Sequence, residues 1–193
     1  MILPPPPRSG HELVVFLVDG SVVHQPWLAA GVDGVVAAAR RSPAAPNHGF
    51  AWVLLDTTVR GLCGWQGQLS GRALAGTARR LLTGPAASPA ALDAGLAAAY
   101  QMARSFLDQR DDGLPAAVDL LAVLGPHGDC RGPGHTEVAS DYRVQLAIAG
   151  YGEPGPAPDG LDHTRISGPD LVAVWTAARS RNAARRRPRL VLG

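Results

Sequence analysis

Hydrophobic and polar positions alternate between two regimes along this chain. Leu13-Val14-Val15-Phe16-Leu17-Val18 is an unbroken apolar run that ends in Asp19-Gly20-Ser21. Such a run, bounded by turn residues, predicts a strand buried on both faces. Phe50 to Leu55, Val118 to Leu124 and Tyr142 to Ala149 repeat the pattern. Between them lie segments with helical spacing. Pro26 to Arg41 places Leu28, Val32, Val35, Val36 and Ala39 on one face. Ser70 to Leu82 predicts a short amphipathic helix. Ser88 as N-cap with Pro89 behind it opens the longest helix, which runs to about Arg110. Asp170 to Arg181 is the last. The Gly-rich stretch Gly61 to Gly67 reads as a loop or edge turn.

The resulting order is β-α-β-α-α-β-β-α. Buried strands alternating with helices predict an α/β fold: a doubly wound, mainly parallel sheet with helices on both faces. The organisation expected is a Pro-rich leader over residues 1–10, one α/β domain over 11–181 and an Arg-rich tail over 182–193. No internal repeat or second domain is evident.

Composition narrows the chemistry. A chain of 193 residues with 46% hydrophobic and 18% charged residues suits one globular domain. Every basic residue is Arg, and Lys is absent. This excludes a P-loop lysine, a Schiff-base lysine and a lysine general base. With abundant Ala, Gly and Pro it reads as the codon bias of a GC-rich, actinobacterial genome. A net charge of +2 gives no argument for nucleic acid, although Arg179 to Arg189 holds six of the 18 basic residues. The two cysteines, Cys63 and Cys130, suit a reduced, cytoplasmic protein. Met1 to Pro7 lacks the pattern of a signal peptide, and no apolar run is as long as a membrane span.

Asp19-Gly20-Ser21 would lie at the carboxyl edge of the sheet, where open α/β folds place their ligand sites. Polar groups there can hold a metal, grip a phosphate or cap the next helix. A haloacid-dehalogenase-type phosphatase needs Asp-x-Asp-Gly-Thr. Here Leu17 stands at the nucleophile's position and the required lysine is missing. A dinucleotide-binding turn needs more glycine than Gly20 supplies. His24, His127, His135 and His163 match no zinc spacing. Asp56, with Thr57 and Thr58, could join the rim or cap a turn. Cys130 with His127 nearby is a weak nucleophile candidate, lacking an orienting group. Trp52 and Trp175 read as core. Trp65, in its glycine-rich setting, is the better exposed contact residue.

Taken with the order of elements, Asp19-x-Ser21 resembles a von Willebrand factor A-type domain over about residues 11 to 181. In that family the first strand ends in Asp-x-Ser-x-Ser. A Thr before the third helix and an Asp after the fourth strand complete an oxygen site for a divalent cation, usually magnesium. The open position of that cation takes an acidic residue of a partner protein. The resemblance implies Asp19, Ser21, Ser88 and Asp129 as ligands and Mg2+ as the ion. Val23 stands at the third position of the motif. Ala86 or Ala87 stands where the Thr is expected, and His127 where the Asp is. An incomplete site is therefore expected.

The function expected is a non-enzymatic protein-interaction module, presenting Asp19, Ser21, Trp65 and His127. By resemblance it would be an adaptor in a bacterial regulatory or defence system with an AAA+ ATPase of the MoxR type. The alternative is a Rossmann-like hydrolase using the carboxyl edge around Asp19, with His127 or Asp129.

Overall fold

The computed structural model describes residues 10–41, 47–110, 114–125, 136–138, 141, 143–150 and 170–185. Five strands form one sheet: β1 (His11–Asp19), β2 (Asn47–Leu55), β3 (Val59–Gln66), β4 (Ala116–Leu124) and β5 (Val144–Gly150). Among the described residues the helices that accompany them include α1 (Trp27–Arg40), α2 (Gly71–Leu81), α3 (Pro89–Asp108) and α4 (Leu171–Arg185). Strand order is β3-β2-β1-β4-β5. β1, β2, β4 and β5 are parallel, and β3 alone runs antiparallel, against β2. The α/β fold expected from the hydrophobic pattern is present.

The period of two along β1 sorts the core into two layers. Val14, Phe16 and Val18 pack with Leu28, Val32 and Val35 of α1, Leu74 and Ala78 of α2, and Leu171, Val174 and Trp175 of α4. Leu13, Val15 and Leu17 face the other way, onto Leu92, Leu96, Ala99, Ala103 and Phe106 of α3. β1 is thus buried on both sides, which is why its sequence is continuously apolar. Trp175 is buried as expected, while Trp52 is only partly buried at the margin of the core.

Gly61 to Gly67 is not a loop. Gly61 to Gln66 belongs to β3, reached from β2 through a hairpin at Asp56-Thr57-Thr58, with the Asp56 amide donating to the Thr58 carbonyl at 3.1 Å. Glycine serves packing here. A Cβ on Gly61 would lie 2.9 Å from Leu81 Cδ1 and 3.2 Å from the Trp52 ring. β3 alternates in exposure because it is an edge strand, with no continuous apolar run to mark it. At the other end of the chain α4 continues to Arg185, so the tail boundary expected at residue 182 falls inside a helix.

The connections set the position of a ligand edge. β1 passes through α1 to β2 on one side. The chain then returns through α2 and α3 to β4 on the other side of β1. The direction of winding therefore reverses between β1 and β4, and the crevice outside their carboxyl ends is the switch point of the sheet.

Candidate functional site

Asp19 ends β1 at that switch point and is buried. Its Oδ1 accepts from the amides of Ser21 and Ala87, both at 3.0 Å. Its Oδ2 accepts from the amide of Gly125 at 3.2 Å. Three segments distant in sequence are therefore tied to one carboxylate: the turn after β1, the loop before α3 and the end of β4. A buried carboxylate that takes several backbone donors fulfils the requirement that buried charge be compensated.

Ser21 lies in a 3-10 turn, Gly20–Val22, that follows β1. Its Oγ is buried and has no hydrogen-bond partner. Gly125 presses against it. A Cβ on Gly125 would lie 2.1 Å from Ser21 Oγ and 3.0 Å from Ser21 Cβ. Only glycine fits there without a shift of the neighbouring chain.

Asp56 is a second buried carboxylate at this edge, beyond the end of β2. Oδ2 accepts from the Thr83 amide at 3.1 Å and the Thr83 hydroxyl at 3.0 Å. Oδ1 accepts from Arg60 Nε at 2.7 Å and from the Thr58 amide at 3.4 Å. Burial pushes the carboxyl up, but the hydrogen bonds from Arg60, Thr83 and Thr58 outweigh it and hold the group well below the usual carboxylate range. Gly20 sits between the two acids. A Cβ there would be 3.0 Å from Asp56 Cβ and 2.9 Å from the Pro85 carbonyl oxygen. Asp19 and Asp56 thus anchor the two ends of the loop from α2 to α3, at Ala87 and Thr83.

The other residues singled out from sequence separate. Val23 is fully buried in the layer beneath α1, which accounts for an apolar residue at the third motif position. The Ser88 hydroxyl accepts from the Ala91 amide at 3.2 Å and is the N-cap of α3. His24 is exposed. Asp129, His127 and Cys130 lie outside the described residues, as do His135 and His163. Trp65 is not beside Asp19. β3 is antiparallel, so Val59 pairs with Leu55 at the Asp19 edge while Gln66 pairs with Phe50 toward the opposite edge. Trp65 packs edge-on against Phe106 at a centroid distance of 5.7 Å. Asp19, Ser21 and Trp65 therefore do not share a surface.

The donor chemistry decides how the described residues suit magnesium. A hard divalent cation needs a shell of oxygen ligands, most of them free to turn lone pairs toward it. The Asp19 oxygens already accept three amides, Ser88 Oγ caps a helix and Val23 offers no oxygen. Of the expected ligands among the described residues, Ser21 Oγ alone is uncommitted. No group of three or more His, Cys, Asp or Glu among the described residues could hold a metal ion. The described donors do not fit such an ion.

Partners missed at the sequence level, Ala87 and Gly125, act through backbone amides, which no side-chain pattern marks. A partly buried polar cluster lies toward the opposite end of the sheet. Glu12 of β1 accepts from Arg179 Nη1 of α4 at 2.9 Å, and Asp119 of β4 accepts from the same nitrogen at 3.0 Å and from Trp175 Nε1 at 2.8 Å. His48 of β2 stands 3.6 Å from Glu12. No described helix is long and apolar enough to cross a membrane.

No protein-family description and no curated protein matches the chain. Among solved structures it is similar to proximal thread matrix protein 1 (PTMP1) from the mussel byssus, at 15% identity and a TM-score of 0.46. A second crystal form of that protein gives 15% and 0.42, and a structure with a zinc-occupied MIDAS motif gives 16% and 0.40. Each match covers 75% of this chain and 37% of the other, so the chain spans little more than a third of that protein's length.

Proposed function

We propose that this chain is a von Willebrand factor A-like protein-interaction module that docks another protein on the carboxyl edge of its sheet. One observation carries the reading: the carboxylate at the switch point is used to hold loops together. Asp19 binds the amides of Ser21, Ala87 and Gly125 through both oxygens. Asp56 is likewise occupied by Thr83, Thr58 and Arg60. A nucleophile or general base needs a lone pair directed at substrate. These two acids direct theirs into the protein, which favours a rigid loop platform over the hydrolase alternative. The mainly parallel five-stranded sheet with helices on both faces agrees with the fold that the resemblance implies.

The platform comprises the turn at Ser21, the loop from Thr83 to Ser88 and the end of β4 at Gly125. Docking there proceeds without a resident cation, since the Asp19 oxygens and the Ser88 hydroxyl are already committed. The partner we propose is an AAA+ ATPase of the MoxR type, with this chain as a cytoplasmic adaptor in a bacterial regulatory or defence system. That part rests on the resemblance alone.

The test is binding of the purified chain to an ATPase encoded beside it, in magnesium and in EDTA. Ala86 is exposed on the loop before α3, so Ala86→Arg blocks the platform without burying a charge. Loss of binding in Ala86→Arg with an unchanged melting temperature supports the reading. Full binding by this variant moves the interface elsewhere, and loss of binding in EDTA overturns the cation-free part.

A further inference from the structure

A cleft of about 500 Å³ lies between α1 and the segment that leads into α2. Small-molecule sites span roughly 300–1,000 Å³. Asp33, Ala37 and Arg40 of α1 line one side, and Gln68, Leu69 and Ser70 line the other. The floor is apolar: Leu69 is buried, as is Val36, which also lines the cleft. The cleft sits beyond the end of β3, near where Gln66 pairs with Phe50, toward the edge of the sheet opposite Asp19.

Two opposite charges line this cleft without neutralising each other. Asp33 and Arg40 are seven residues apart on α1, about 10 Å along its axis at roughly 1.5 Å per residue. Ion pairs along a helix form at a spacing of three or four residues. Each group is held by the protein and keeps capacity for a ligand. Asp33 Oδ1 accepts from the Gly71 amide at 2.6 Å, which leaves Oδ2. Asp19 and Asp56, by contrast, commit both oxygens to the fold. Arg40 Nη2 donates to the Gly67 carbonyl at 3.4 Å, and the guanidinium carbon lies 5.7 Å from the centre of the Phe50 ring. Its Nε and Nη1 remain as donors. Ser70 Oγ accepts from the Ala73 amide at 3.4 Å as N-cap of α2 and keeps its own proton to donate. Gln68 adds an exposed carboxamide.

We propose that this cleft binds a small zwitterion, an amino acid or dipeptide, with its ammonium on Asp33 and its carboxylate on Arg40. The charge pattern selects the class. A simple anion is repelled by Asp33 and a simple cation by Arg40, whereas a molecule carrying both signs satisfies each. The separation of the two groups sets the length. Two hydrogen bonds of about 2.8 Å and one or two residues of about 3.5 Å together span roughly 9–13 Å, which brackets the spacing along α1. An apolar side chain on the ligand covers Val36 and Leu69. Both charged groups are exposed, so their attraction is screened and binding is weak and salt-dependent.

The test is an NMR titration of the full chain at low ionic strength with L-leucine and L-leucylglycine. N-acetyl-leucylglycine, which lacks the ammonium, and leucylglycinamide, which lacks the carboxylate, are the comparisons. Saturable binding of at least one zwitterion is expected, weakened about tenfold or more by either blocking group. Whichever zwitterion binds more tightly tells a free amino acid from a dipeptide. Asp33→Asn keeps an acceptor for the Gly71 amide and should lose the preference over the N-acetylated form. Arg40→Gln should instead lose the preference over the amide. A merely structural role would not divide the two preferences in this way. Ala37→Phe, at an exposed position on the cleft wall, should block binding with an unchanged melting temperature. Absence of saturable binding by both zwitterions overturns the proposal. So does equal binding of the blocked forms, or binding that survives Ala37→Phe. None of these outcomes bears on the platform at Asp19.

Discussion

Gly125 and Ser21, separated by more than a hundred residues, meet so closely that a Cβ on the glycine would sit 2.1 Å from the serine hydroxyl. This contact closes β4 against the turn after β1. Gly125→Ala is expected to destabilise the protein by roughly 1–3 kcal/mol, because the packed turn must shift. Ser21→Ala removes a buried hydroxyl that has no partner, so its expected effect runs from neutral to about 1 kcal/mol of stabilisation. In the double variant the Ser21 position keeps its Cβ, 3.0 Å away, so the Gly125→Ala loss should be relieved in part. Chemical denaturation of the four proteins measures all three terms. Additive single effects would show that the two sites do not touch.

Asp19 holds the loops through amides, and its removal should be read at those amides. Asp19→Ala leaves the buried Ala87 and Gly125 donors unpaired. The expected cost is roughly 2–5 kcal/mol, about one desolvation penalty for each orphaned group. Asp19→Asn keeps one carbonyl acceptor but turns an amide nitrogen toward a donor, and should fall between wild type and Asp19→Ala. Hydrogen exchange should accelerate at Ala87 and Gly125 in Asp19→Ala more than at the centre of α3. Uniform acceleration would mean general destabilisation instead of local release.

Magnesium separates a committed carboxylate from a waiting ligand set. An ion that binds the native state raises the melting temperature in a saturable way. With three amides on Asp19 and the Ser88 hydroxyl capping α3, millimolar magnesium is expected to shift the melting temperature by less than about 1 °C. A saturable rise of several degrees that Ser21→Ala abolishes would restore the metal site.

Which parts of this were legible in the sequence follows from what each residue buries. β1 was plain because both its faces are covered, leaving an apolar run with no polar break. β3 was hidden because its edge position leaves no continuous apolar run, and Gly61 is there to admit Leu81 and Trp52. Asp19 stood out by position, at the end of a buried strand, but its role did not. Two of its partners are the amides of an alanine and a glycine, and any residue except proline carries an amide. Asp56 read as a capping residue; it does receive the Thr58 amide, but its bonds to Thr83, 27 residues on, depend on tertiary placement. Arg179 read as the first arginine of a tail, whereas it is inserted between Glu12 and Asp119 by packing of α4.

Asp56 makes stability acid-sensitive. Its folded carboxyl titrates below the unfolded value, held there by Arg60, Thr83 and Thr58 against the effect of burial. A depressed pKa stabilises the fold fully above the unfolded value, about 3.9, and that contribution is lost as pH falls below it. Asp56→Asn should be less stable than wild type at neutral pH, and the gap should narrow as the solution is taken below about pH 4. Denaturation midpoints of both proteins over that range test the assignment. A gap that stays constant with pH would assign the loss to packing and not to ionisation.

His48 acts in a different window. Its ring is 5% exposed beside Glu12, and neither nitrogen has a hydrogen-bond partner. Burial disfavours the imidazolium most; Glu12 opposes this, while Arg179 and Arg40 add to it, and the pKa ends below its usual value. In the unfolded chain the ring takes up a proton near pH 6.5, whereas the folded ring resists it to lower pH. The unfolded state therefore binds more protons in this interval, and stability falls as pH drops below about 6.5. His48→Gln removes the titrating group from both states. Between pH 7 and 5 the melting temperature of wild type should fall more than that of His48→Gln, by a few degrees for a domain of this size. Equal slopes would mean that His48 is protonated equally in both states, and that Glu12 offsets the full cost of its burial.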